Sequence, residues 1–232
     1  MERTAVTDSD RSPPSAEATG GGGFASLLVV RGLTLVNDHA LKWLAIGLGK
    51  KLVEEGRVSL VLTIGLVGLS LPYVLFSWLA GSLADRKSKT AVVRWCKGAE
   101  VLIVAAATAV IGFGLGGGTG WLGLPTGLWL LLAAVMAIGM QAAIMTPSIV
   151  GAIPELVAPS KLAGANGLFA LVSLVAVLVG TAAGNWVADA TPLVQSATAL
   201  GRGLPAGVLL VGTALAGWIA SGFLPRLAPA AP

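Results

Sequence analysis

Asp38 and Lys42 stand four residues apart inside a long apolar stretch, a spacing that places both side chains on one face of a helix. At a rise of about 1.5 Å per residue, Asp38 falls near the middle of a span that begins around residue 26. A charge at that depth costs about 2.5–3.5 kcal/mol on insertion scales, so an unneeded pair should be rare. One reading is a cavity-lining site for a polar headgroup or a coupling ion. The other is a self-neutralising pair that packs between helices. Glu100 lies about two turns into a later apolar stretch, and Lys97, one turn before it, can neutralise it. Gln141, Asn166 and Asn185 are amides within apolar segments that bond between helices or line the cavity. His39, the only histidine, is a proton relay or a packed polar residue. An acyltransferase His-x-x-x-x-Asp pair needs an aspartate five positions on, where this chain has Leu44, so the chain is not expected to be an enzyme of that kind. Cys96 is the only cysteine, which leaves no internal disulfide and no Cys/His metal site. Neither a metal nor a cofactor is expected.

The elements that must position these residues are membrane spans. Hydrophobic residues make up 55% of the 232 positions and charged residues 11%, with a mean hydropathy of +0.86. A soluble domain carries roughly 25% charge, so too little polar surface exists here to cover a water-soluble globule. Spanning a bilayer core of about 30 Å takes about 20 apolar residues. The chain offers six such stretches, over 26–48, 59–83, 92–114, 128–150, 162–187 and 205–224. Between them lie Lys50-Lys51, Asp85-Arg86-Lys87-Ser88-Lys89, Gly116-Gly117-Gly118, Pro154-Glu155 and Thr191-Pro192, residues that punctuate helices. Residues 1–25 read as a disordered cytosolic tail, 26–224 as the transmembrane domain and 225–232 as a cytosolic C-terminal tail.

Charge sets the orientation. Arg3, Arg11, Arg31, Arg86, Lys87, Lys89, Arg94, Lys97, Lys161 and Arg226 fall on the side of both termini, against Lys50, Lys51, Arg57 and Arg202 on the other. Basic residues near helix ends resist translocation, so both termini are expected in the cytoplasm. Arg94 and Lys97 are expected to snorkel to that interface. The net charge of +4 is spread between apolar runs and forms no stripe, so no nucleic-acid partner is expected. Gly65 with Gly68, Gly164 with Gly167, and Gly180 with Gly184 recur at spacings that let helices pack closely.

The segment Gly81-Ser82-Leu83-Ala84-Asp85-Arg86-Lys87-Ser88-Lys89 resembles the major facilitator signature Gly-x-x-x-Asp-Arg/Lys-x-Gly-x-Arg/Lys, and it lies between the second and third spans as that signature does. Ser88 stands where the signature has glycine. The resemblance implies a cytoplasmic latch built on Gly81, Asp85, Arg86 and Lys89. Asn37-Asp38-His39-Ala40-Leu41-Lys42, Arg94-Trp95-Cys96-Lys97-Gly98-Ala99-Glu100, Pro154-Glu155 and Ala165-Asn166-Gly167 together look like the lysophospholipid transporter branch. That branch carries a basic and an aromatic residue after the proline that closes the fourth span, whereas Ile149 and Val150 follow Pro147 here.

The expectation is therefore an all-α polytopic membrane protein, similar to the N-terminal six-helix half of a major facilitator transporter. The resemblance implies alternating access, a lysophospholipid or related amphiphile as cargo, and a place in the bacterial inner membrane. A general efflux or solute permease, or a non-transporting anchor or regulatory half, is the alternative. The expected substrate or ion pathway comprises Asp38, Lys42, His39, Asn37, Glu100, Gln141 and Asn166. Expected partners are the lipid bilayer, the small amphiphile, and a second six-helix half or a second copy of the chain.

Overall fold

The structure is a computed structural model that describes residues 22–118, 120–193 and 198–227, apart from the side chains of residues 77, 79 and 83–85. Most of the N-terminal tail and residues 228–232 lie outside the described residues, as does the Asp85 side chain. The fold is all-helical. Six long helices follow one another: α1 (Gly22–Leu52), α2 (Val58–Arg86), α3 (Lys89–Phe113), α4 (Thr126–Leu156), α5 (Leu162–Ala190) and α6 (Ala199–Ser221). Five of them are long and apolar enough to cross a membrane on composition alone. The exception is α1, whose central turns carry Arg31, Asp38 and Lys42. The chain is an integral membrane protein.

Most helix ends outrun the expected spans, although α6 stops at Ser221, short of the expected 224, and α3 at Phe113, one residue short. α1 begins at Gly22, inside the expected tail, and α4 continues through Pro147 and Pro154 to Leu156. A proline removes one backbone donor, which usually ends a helix in water. Within a bundle in lipid, a broken helix would expose more unpaired backbone than the single lost bond, so the helix carries on.

Packing follows a repeated rule. α1 lies on α5 and α4 lies on α2, while α3 lies on α6; α1 also meets α6, as α4 meets α3. Exchanging α1–α3 with α4–α6 leaves this pattern unchanged, and an odd number of spans per unit makes the two units run in opposite senses. α1 and α4 are thus the central helices. Gly180 and Gly184 of α5 sit against the α1 backbone, where a Cβ would collide with Val36 and Ala40. Gly164 and Gly167, expected to do the same, have nothing within 4 Å. They lie near the start of α5, beyond its close approach to α1.

The apolar core has two parts. Leu44, Leu48, Val104, Ile111, Leu128 and Ile138 belong to one cluster, and Leu27, Val30, Val92, Met145, Ile149 and Ile153 to the other. Along α1 the second cluster stops at Val30 and the first starts at Ala40; along α3 the gap runs from Cys96 to Val104. The polar residues of these helices occupy that gap.

Candidate functional site

Asn37, Asp38, Lys97 and Glu100 are at most 2% exposed, and all lie between the two apolar clusters. Lys97 Nζ lies 2.6 Å from both Glu100 carboxylate oxygens and 3.3 Å from Thr34 Oγ1. Asn37 Nδ2 donates to Glu100 Oε1 at 2.9 Å, and Thr213 Oγ1 of α6 lies 3.1 Å from Asn37 Oδ1. One network therefore ties α1, α3 and α6 together at mid-depth. Gly217 of α6 makes room for it, since a Cβ there would stand 2.6 Å from Lys97 Nζ. Lys97 is fully buried and does not snorkel, contrary to expectation, because Glu100 and Thr34 supply partners inside the bundle.

Asp38 is the member left over. Its Oδ1 is buried and accepts no hydrogen bond. Lys97, Arg31 and Lys42 are within its electrostatic reach, as is the like-charged Glu100, yet none of the three cations forms an ion pair with it among the described residues. The Lys42 ammonium stands 5.5 Å from the Trp43 ring centroid, so the pair suggested by the spacing is not closed. Arg31, expected with the interfacial cations, turns toward α5: its guanidinium lies 5.2 Å from the Phe169 ring centroid and Nε donates to Ser173 Oγ at 3.2 Å. His39 is half-buried with Nδ1 3.1 Å from the Leu35 carbonyl oxygen of its own helix.

The remaining candidates do not converge on this network. Gln141 lines a separate groove of about 680 Å³ between α3 and α4, together with Lys87, Trp95, Cys96 and Met140. Asn166 is exposed on α5. Among the latch residues, Gly81 has no heavy atom within 4 Å of a would-be Cβ, so it makes no close helix approach, and Arg86 is exposed. Lys89 pairs with Glu155 at the end of α4, which brings the latch segment and the Pro154-Glu155 stretch together. Thr34 and Thr213 had no sequence signal, because a threonine in an apolar run ordinarily bonds to its own helix. Among the described residues, no three His, Cys, Asp or Glu side chains converge as metal ligands would.

Known proteins give this geometry a context. Over 210 residues, covering 90% of this chain, the sequence is 29% identical to the lysophospholipid transporter LplT of Escherichia coli, in strains O139:H28 and K12 / DH10B alike. The counterpart from Shigella boydii serotype 18 matches to the same extent. The chain is similar to lysophospholipid transporters. It spans about 45% of the length of these relatives. No family model and no solved structure matches.

Proposed function

We propose that this chain is a six-helix half of a major-facilitator-type transporter, moving a lysophospholipid or a related amphiphile by alternating access. The observation that carries the reading is the similarity to lysophospholipid transporters over 90% of the chain. The polar layer at mid-depth supports it, because a buried carboxylate with an oxygen that accepts no hydrogen bond is expensive and is found where a polar group must be received. Asp38 is the group that meets the cargo or a coupling ion, next to the network that Asn37 and Glu100 form with Lys97, with Lys42 and His39 near it on α1. Gln141 and Asn166 contribute from their own helices. Gly81, Asp85, Arg86 and Lys89 form the latch, in the bacterial inner membrane with both termini in the cytoplasm. Residues 26–224 are the membrane domain between two cytosolic tails.

A general permease of the same superfamily is the second reading. It is favoured by Ile149, which is buried in the apolar cluster in the stretch where the resembled branch carries a basic residue. Proteoliposomes separate the two. Uptake of a labelled lysophospholipid by the chain together with a complementary six-helix half, and none by the chain alone, is the expected result. Uptake of small hydrophilic solutes instead would favour the general permease. Uptake of neither class by the assembled halves would sink both and leave an anchor.

A further inference from the structure

Ser88 occupies the N-cap of α3, where a serine ordinarily accepts a hydrogen bond from a backbone N–H of the first turn. No such cap bond forms. The hydroxyl instead donates to the Leu227 carbonyl oxygen at 2.9 Å, in the segment that follows α6. Two residues on, Thr90 Oγ1 donates to the Pro225 carbonyl oxygen at 2.6 Å and accepts from the Leu227 N–H at 3.1 Å. One turn deeper, Arg94 directs Nε to the Ser221 carbonyl at 3.1 Å and a terminal nitrogen to those of Gly222 and Leu224 at 2.9 and 3.2 Å.

These bonds fall on one stretch of irregular chain. The Ser221 carbonyl that ends α6 also accepts the Leu224 N–H, at 3.3 Å, and a guanidinium beside it suits the negative end of the helix dipole. Leu224 is 5% exposed and packs in the cluster that holds Leu27, Val92 and Ile153, with Leu227 at its edge. The start of α1 closes over the same stretch, since a Cβ on Gly23 would stand 3.2 Å from both Leu156 and Pro225. Irregular segments usually run solvated over a surface. This one is held by side chains of a single helix start and by a buried leucine.

We infer that Ser88, Thr90 and Arg94 form a clasp that fixes residues 222–227 to the start of α3, so that the α2–α3 loop and the exit of α6 move as one body. The clasp goes beyond the transport reading and does not depend on the cargo. Its consequence is mechanical: displacement of the α2–α3 junction, from Arg86 at the end of α2 to Lys89 at the start of α3, displaces the chain after α6 with it. A glycine at position 88 would have no hydroxyl to offer Leu227.

Hydrogen exchange of the full chain in lipid nanodiscs tests this. The double variant Ser88→Gly with Thr90→Val should exchange about tenfold faster at the amides of residues 222–224, 226 and 227, while α1 and α4 keep their protection. Thr90→Ser, which keeps a hydroxyl, should behave as the wild type. Leu224→Ala touches neither hydroxyl and should speed exchange across the clasp, at residues 87–93. Unchanged exchange at 222–224, 226 and 227 in the double variant overturns the clasp, and loosening confined to the substituted side overturns the one-body coupling. Tryptic cleavage after Arg226 gives a second readout on Arg94→Gln: the wild type should resist and the variant should be cut, and equal resistance overturns the role of Arg94.

Discussion

The Lys97–Glu100 pair has no exposed surface and sits in a layer with few other partners, so its two charges depend on each other. Removing one member of a buried pair costs about 3–5 kcal/mol, whereas replacing both with apolar groups of similar volume is often neutral. Lys97→Met and Glu100→Leu should therefore each lower the melting temperature in detergent sharply. The double variant should recover most of the loss, and additive losses would contradict the pairing. Asp38 should behave in the opposite way. Because Oδ1 accepts no hydrogen bond and Lys42 stands over Trp43, Asp38→Asn removes a buried charge without breaking an ion pair. It should fold at least as well as the wild type and lose uptake in an assembled transporter; undiminished uptake would remove Asp38 from the pathway. At this scale the sequence was legible where a charge interrupts an apolar run, as at Asp38 and Glu100. It was blind to the direction of each side chain: the i,i+4 spacing suggested that Lys42 meets Asp38, and the proximity of Lys97 to a helix start suggested the interface.

Helices were legible because a bilayer demands long apolar runs, and each expected span overlaps one observed helix, although 222–224, expected inside the sixth, lie beyond it. Their ends were less so: Thr198 caps α6 locally, while several other ends are closed by distant residues. Lys51 donates to the Ala188 carbonyl at 2.8 Å and pairs with Asp189 at 3.1 Å, so a basic residue from the last turn of α1 closes the end of α5. Arg57 donates to the Gly123 carbonyl at 2.6 Å, and Arg202 near the start of α6 donates to the Gly112 carbonyl near the end of α3 at 3.1 Å. Glycine pairs were equally ambiguous from spacing alone, and the structure separates them. Gly184→Leu should push α5 off α1, since the Ala40 backbone lies where the side chain would go, and should abolish a cooperative melt. Gly164→Ala meets nothing within 4 Å and should stabilise α5 by up to about 1 kcal/mol through helix propensity. If both variants melt like the wild type, the α1–α5 contact is not the tight one described.

For the whole molecule, the two ends of the bundle differ in how many basic residues they carry: Arg86, Lys87, Lys89, Arg94, Lys161 and Arg226 lie at one, and Lys50, Lys51, Arg57 and Arg202 at the other. At the end formed by Arg86, Lys87, Lys161 and Arg226, these four side chains are exposed or lie in short connections. At the other end, Lys51, Arg57 and Arg202 are engaged with helix ends and loop carbonyls, leaving Lys50 exposed. Lysines and arginines near helix ends hold a loop on the cytoplasmic side during insertion, so the end that carries more of them is the one retained. The first end should therefore be cytoplasmic. Two positions test this with little structural disturbance, in a background carrying Cys96→Ala to remove the one native thiol. Gly118 is exposed with nothing within 4 Å of a would-be Cβ, and Lys161 is exposed on the short turn before α5. In intact cells, a membrane-impermeant maleimide should label the Gly118→Cys variant directly and the Lys161→Cys variant only after permeabilisation. The opposite pattern would invert the bundle in the membrane and move the Ser88 clasp to the outer face.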